Sequence, residues 1–201
     1  MMKALLIFLL TSLITNTGFG QMNKDEIKLT FEKYFESVEQ KENEKTLEYI
    51  YPKLFEIYPK NKMLDAMNKK KADTTTDITI SNDSIINISE TFELEGIKYA
   101  LIKYSFKMTM KFSETKNETE SSENEDFNKA ELSYELLKEV YGEKNTIYNK
   151  ENSTIYINVS NEMFAIKNPS YNDWKFLENK ENMKPILEKL LPKKILKKWQ
   201  E

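Results

Sequence analysis

The chain of 201 residues contains no cysteine, no histidine and no arginine, and only four glycines and five prolines. Without cysteine there is no disulfide, no thiol nucleophile, and no lipid attachment through a cysteine beside a cleavage site. Without histidine, Ser-His-Asp and Cys-His catalysis lack their base, and zinc loses its usual ligands. Without arginine the planar fork that grips phosphates and carboxylates is missing, and all thirty basic residues are lysine. The abundance of Lys, Asn, Ile and Glu accounts for that bias in composition. Beyond residue 20 the only glycines are Gly96 and Gly142, which excludes a glycine-rich phosphate loop. No cofactor and no metal is expected. The formal net charge is −3, without the basic footprint of a nucleic-acid binder, so no nucleic-acid partner is expected.

What is present begins with a leader. Lys3 precedes an apolar run from Ala4 to Ile14, and the small residues Gly18 and Gly20 stand ahead of Gln21. Charge, length and cleavage chemistry together predict a secretory signal peptide over residues 1–20. The run is too short to span a bilayer, which takes about 20 apolar residues. No later stretch is long and apolar enough, so the mature chain is expected to lack a transmembrane segment. Residues 21–201 are enough for one domain with its own core, exported to the periplasm or the cell exterior.

The mature chain opens with helical spacing. Ile27, Phe31, Tyr34, Phe35 and Val38 recur at three- and four-residue steps, and a second stretch carries Leu47, Ile50, Tyr51, Leu54, Phe55 and Tyr58. Pro52 and Pro59 each suit the first turn of a new short helix, and Met63, Leu64 and Met67 continue the stripe. The period then changes. Ile78 and Ile80 predict a short strand, and Ile86, Ile88, Phe92 and Leu94 a second. After a turn at Glu95-Gly96 the even positions from Ala100 to Phe112 are apolar, while Lys103, Ser105, Lys107, Thr109 and Lys111 alternate with them. Such alternation predicts an antiparallel strand with one face buried and one wet.

Residues 113–126 are acidic and without an apolar side chain, which predicts a mobile loop. Calcium would need spaced ligands and a turn glycine that this stretch lacks. A helix follows, with Leu132, Leu136 and Val140 beside Ala130, Tyr134, Leu137 and Tyr141, stopped at Gly142. Three short strands come next, at 146–148, 155–159 and 163–166, with a turn at Ser160-Asn161, then a last strand holding Trp174 and Phe176. Helical apolar positions from Met183 to Leu191, Pro192, and then Ile195, Leu196 and Trp199 end the chain. The terminal lysines raise the idea of an amphipathic segment lying on an acidic membrane. Packing of its leucines on the domain is the simpler expectation, since Pro192 breaks any single apolar face.

Two carboxylates lie nearest apolar surroundings. Asp65 sits between Leu64 and Met67, and Glu90 interrupts the row Ile86, Ile88, Phe92 and Leu94. Burial would make either a candidate base; a lysine partner or an outward turn would make Glu90 merely structural. Tyr104, Phe106 and Met108 on one strand, with Trp174 and Phe176 on another, either line an apolar pocket or form plain core.

The stretches Tyr141-Gly142-Glu143, Ala165-Ile166-Lys167 and Asn172-Asp173-Trp174-Lys175-Phe176-Leu177-Glu178, set after N-terminal helices, resemble the nuclear-transport-factor-2-like superfamily, in particular its small secreted bacterial members of unassigned function. The resemblance implies an α+β fold: N-terminal helices packed on a strongly curved antiparallel sheet, a cone, with an additional C-terminal helix. It covers most of the mature chain but is a pattern of elements. Some members are isomerases or dehydratases, and others only bind or dimerise. The histidine-dependent branches do not fit this chain, and no residue matches the isomerase motif, so the catalytic residues are unknown. The expectation is therefore an exported non-catalytic domain for an unknown small apolar ligand or protein partner, with homodimerisation open. The alternative is a small isomerase or dehydratase using a carboxylate base (Glu90 or Asp65) and a tyrosine in the cone pocket.

Overall fold

A computed structural model describes residues 2–72, 76–113 and 129–199. Most of the acidic stretch expected to be a mobile loop, residues 114–126, lies outside the described residues. Among the described residues the α-helices are six, α1 (Met2–Glu39), α2 (Asn43–Glu48), α3 (Lys60–Ala72), α4 (Lys129–Tyr141), α5 (Lys184–Leu190) and α6 (Lys193–Lys198), and the strands are six. The strands are β1 (Thr76–Ile88), β2 (Phe92–Leu94), β3 (Ile97–Phe112), β4 (Thr146–Asn149), β5 (Thr154–Lys167) and β6 (Lys175–Glu178). They form one antiparallel sheet in the order β1-β3-β5-β4, with β2 also on β3 and β6 also on β5. The fold is thus α+β. Pro52 opens a 3₁₀ turn, and Pro59 stands directly before α3, where a missing N–H does no harm.

The spine of the sheet is β3 against β5, paired without interruption from Lys98↔Lys167 to Lys111↔Thr154. One face of this pair carries Ala100, Ile102, Tyr104, Phe106, Met108 and Met110 of β3 beside Ala165, Met163, Val159, Ile157 and Ile155 of β5. Helix α1 lays Ile27, Phe31 and Phe35 on one end of that face, and α4 lays Ala130, Tyr134, Leu137 and Tyr141 on the other. The opposite face is split. Near the start of β3, Tyr99 with Phe164, Ile166 and Leu177 is covered by Leu187, Leu190, Leu191, Ile195 and Leu196 from α5, α6 and their junction. Farther along, Lys103, Ser105, Lys107, Asn158, Ser160 and Glu162 occupy the same face, and Lys103, Asn158 and Ser160 among them are exposed. The expected wet face therefore exists over only part of β3, because the C-terminal helices fold back onto the rest.

Three sequence expectations are corrected. The segments around Ile78 and Ile86 are one strand, β1, which takes in one extra residue between Ser81 and Ser84 and another between Ile85 and Asn87. Asn82 absorbs the first irregularity at φ +54°. Each bulge swaps the inward and outward positions, so Ile85 packs inward while Ile86 is 55% exposed, and the alternation reads as broken. Ser160-Asn161 is no turn. Asn158, Ser160 and Glu162 are the polar positions of a continuous strand whose other side faces α1 and α4. The strongly curved cone is not seen either: the sheet is open and does not curl strongly. Bulges are what bend a sheet sharply, and here they are confined to the edge strand β1 while the β3–β5 centre has none.

The Glu95-Gly96 turn is present as expected. Both residues have positive φ, +53° and +75°, between the paired Leu94 and Ile97, which is the two-residue geometry that suits the twist of a hairpin. Phe31 is fully buried, so Phe31→Ala is expected to cost about 3–5 kcal/mol in urea unfolding. Ile86→Ala, at an exposed bulge, should stay within about 0.5 kcal/mol.

Candidate functional site

Neither carboxylate singled out from the sequence is buried. Glu90 follows the end of β1, its side chain is 76% exposed, and Lys24 of α1 donates to its Oε1. The row Ile86 to Leu94 is not one strand, so nothing aims Glu90 at the core. Asp65 lies exposed on α3. The aromatic row fares differently. Tyr104, Trp174 and Phe176 are buried in one cluster with α1, Met108 belongs to the cluster under α4, and Phe106 touches both. Phe31 stands 5.3 Å from the Tyr104 ring and 6.1 Å from Phe176, both edge-on, and Phe35 stands 5.4 Å from Tyr104. These are the spacings of packed aromatic core.

The group the sequence reading missed is Glu178. The Tyr104 hydroxyl donates to Glu178 Oε1 at 2.7 Å. The other oxygen, Oε2, is sealed from solvent and lies 3.2 Å from Lys180 Nζ, an ion pair that lacks the angles of a hydrogen bond. Asn161 turns its amide oxygen to the same Nζ at 3.2 Å while its nitrogen donates to the Ser160 carbonyl at 3.0 Å. Burial, followed by the charge of Glu178, raises the Tyr104 phenol well above its ordinary value, and the same two causes in the same order raise Tyr34. Alternation did carry a signal. Trp174, Phe176 and Glu178 recur at every second residue, and β6 pairs with β5 so that Glu178 sits opposite Met163, on the α1 side of the sheet. A carboxylate at the end of an aromatic row faces whatever donor the neighbouring strands supply.

A phenol and a carboxylate at this distance resemble the parts of an enolisation site, but they are arranged to satisfy each other. A base must face its substrate, and an oxyanion donor must have a proton to offer. Here Tyr104 gives its proton to Glu178, and the space above the pair is occupied by Phe31, Phe35 and the half-buried Tyr34. A cleft of about 460 Å³ opens nearby between Asn179, Lys180, Glu181, Lys184, Leu187 and Leu196. It reaches Lys180 but neither Tyr104 nor the aromatic row, and its two lysines are paired with Glu178 and Glu181. Among the described residues no group of three or more acidic side chains has the arrangement to hold a metal ion, and no helix is long and apolar enough to cross a membrane. The leucines of α5 and the Ile195 and Leu196 pair of α6 are spent on the core, and Lys194 and Lys198 lie over the Phe92 ring at 5.4 and 4.9 Å. The apolar residues of the C-terminal helices thus pack on the domain, which is the simpler of the two expectations.

Compared with known proteins, the chain matches no family model, no curated protein and no solved structure.

The phenols give a pH signature. Because Tyr34 and Tyr104 hold their protons more tightly in the folded state than at the unfolded value of about 10, their contribution to stability is complete below that pH. It is lost as pH rises above it. Phenolate absorbance is therefore expected to show these tyrosines ionising only as the chain unfolds at alkaline pH. Tyr104→Phe removes the donor to a part-buried carboxylate, and urea titration at neutral pH should record a loss of about 1–3 kcal/mol.

Proposed function

We propose that this protein is an exported, non-catalytic binding or interaction domain of the nuclear-transport-factor-2-like superfamily, processed after residue 20 and working in the periplasm or outside the cell. The observation that carries the reading is the filled inner face of the sheet. Where a ligand-binding member would keep a pocket between helix and sheet, Phe31, Phe35, Tyr104 and Phe176 are in contact. With that space occupied, recognition falls to the outer surface, and a protein partner suits it better than a small apolar ligand. Kinship with the superfamily draws support from the order of elements, helices first and packed on an antiparallel sheet, in a shallower form than the usual cone.

The second reading, a small isomerase or dehydratase, is favoured by one observation, the 2.7 Å contact of Tyr104 with Glu178. In that reading Glu178 would be the base and Tyr104 the oxyanion donor, in place of Glu90 and Asp65. Opening of α1 from the sheet would have to precede catalysis, because both groups are covered.

The two readings separate with an enolisable ketone such as 2-tetralone in deuterium oxide. The expected outcome is exchange of the α-protons at the buffer rate. Exchange above that rate, abolished by Glu178→Gln in a protein that still folds, would establish the enzyme. Export is tested by N-terminal sequencing of the protein recovered from a secreting host, which should begin at Gln21.

A further inference from the structure

With its apolar residues packed on the domain, the C-terminal segment turns its lysines outward. In α6, Lys193, Lys194, Lys197 and Lys198 are exposed, while Ile195 and Leu196 between them are buried. At about 100° per residue the four lysines fall on one arc of about 140°, directly opposite the buried pair. Among the described residues none of the four joins an ion pair, although lysines elsewhere pair with nearby acids, Lys180 and Lys184 among them. From Lys184 to Trp199 the one acid is Glu188, against six lysines. Lys194 and Lys198 stand over the Phe92 ring, a contact that positions an ammonium without neutralising it. We propose that this lysine face rests on an anionic lipid surface, held by charge and without insertion of the helix.

The chemistry of the face favours lipid headgroups over another polyanion. Its charges are all lysine, compact point charges without the planar fork that matches the geometry of one phosphate. Such charges suit attraction to a field of headgroups, which asks for no fixed partner. The face also has no groove for a strand: the 460 Å³ cleft beside α5 takes in none of the four lysines. Trp199 adjoins them, half-buried, with its ring edge-on to Phe164 at 5.9 Å and Lys198 Nζ at 5.8 Å. Its indole N–H has no hydrogen-bond partner among the described residues. A tryptophan with an anchored apolar body and a free polar edge is the kind that gathers at a membrane–water interface.

Charge sets the strength. Each lysine close to an anionic surface raises partitioning by roughly fivefold, so four raise it by roughly 500-fold. The formal net charge of −3 does not cancel this, because charges farther away than about 10 Å are largely screened at 0.1 M salt. The association is therefore reversible and sensitive to salt. It does not rest on the proposed function: Tyr104 and Glu178 lie on the α1 side of the sheet, and the lysine face would act whether or not that pair were catalytic.

Co-sedimentation of the full-length chain with vesicles tests this, using phosphatidylcholine alone and phosphatidylcholine with about one third phosphatidylglycerol. The apolar run from Ala4 to Ile14 would bind both kinds alike, so the ratio of the two affinities is the quantity read. At about 20 mM salt the anionic vesicles should be preferred by roughly 100–500-fold, and near about 500 mM the preference should vanish. Lys193→Gln with Lys197→Gln should leave the circular dichroism unchanged and cut the low-salt preference by roughly 10–25-fold. Lys111→Gln with Lys144→Gln removes the same charge from exposed positions at the α4 end of the sheet, and should change it by less than about twofold. Equal binding to both vesicles, a preference that survives high salt or the Lys193 and Lys197 exchanges, or an equal loss on exchanging Lys111 and Lys144 would overturn the proposal. Binding to duplex DNA more tightly than to anionic vesicles of equal charge would overturn it as well.

Discussion

Everything in this molecule hangs on the unbroken register of β3 with β5. Fourteen consecutive pairs fix which side chains face which way over the length of the sheet. A slip of one residue would send Ala100, Ile102, Tyr104, Met163 and Ala165 to the far face and strand α1 without a surface to cover. The same register makes the second face apolar only at one end, which is where α5 and α6 return to pack. A parallel bridge adds a tie: Ile50 lies beside Phe176, with the Phe176 N–H on the Tyr49 carbonyl at 2.7 Å and the Tyr51 N–H on the Phe176 carbonyl at 2.9 Å. The segment between α2 and its following 3₁₀ turn thereby closes the outer edge of β6.

That arrangement has a chemical consequence. Glu178 is a carboxylate at the rim of an aromatic core, and it stays there because two groups attend it, a phenol from within and an ammonium from without. Replacing either partner by an apolar group would leave charge facing a low-dielectric interior, which is where polar pairs matter most. The pair is coupled to the position of α1 as well, since Tyr34, Phe31 and Phe35 form its lid. With one oxygen hydrogen-bonded to Tyr104 and the other held only by the Lys180 ion pair, Glu178 is tied into the packing, and a catalytic role would require undoing that packing.

Much of this was readable in the residues. The even-position row of β3 is the register itself, Glu95-Gly96 marks its hairpin, and the 3.6-residue spacing of Ile27, Phe31 and Phe35 marks the helix that covers it. What escaped did so for physical reasons. Each bulge in β1 inverts the inward and outward positions, so one strand reads as two. Ser160 and Asn161 have turn-forming composition but sit in a strand between the covered ends of the sheet, where polar residues are tolerated by solvent on one side and by Lys180 on the other. Glu90 continues the alternation of β1 in sequence, but the strand ends at Ile88, before it. Glu178 carried the right alternation, but its partner Tyr104 lies 74 residues away in sequence, and only the strand order β6-β5-β3 shows that they meet.

Native-state hydrogen exchange tests the central claim most directly, that the β3–β5 ladder capped by α1 is one unit whose inner face is filled where Phe31, Phe35, Tyr104 and Phe176 meet. The amides from Ile102 to Lys107 and from Val159 to Phe164 should exchange only through global unfolding, at the full unfolding free energy obtained from urea titration, and should outlast those of α5 and α6. Exchange of these central amides by local opening, well below that free energy, would mean that α1 lifts from the sheet in the native state, and the account of a filled inner face would fail.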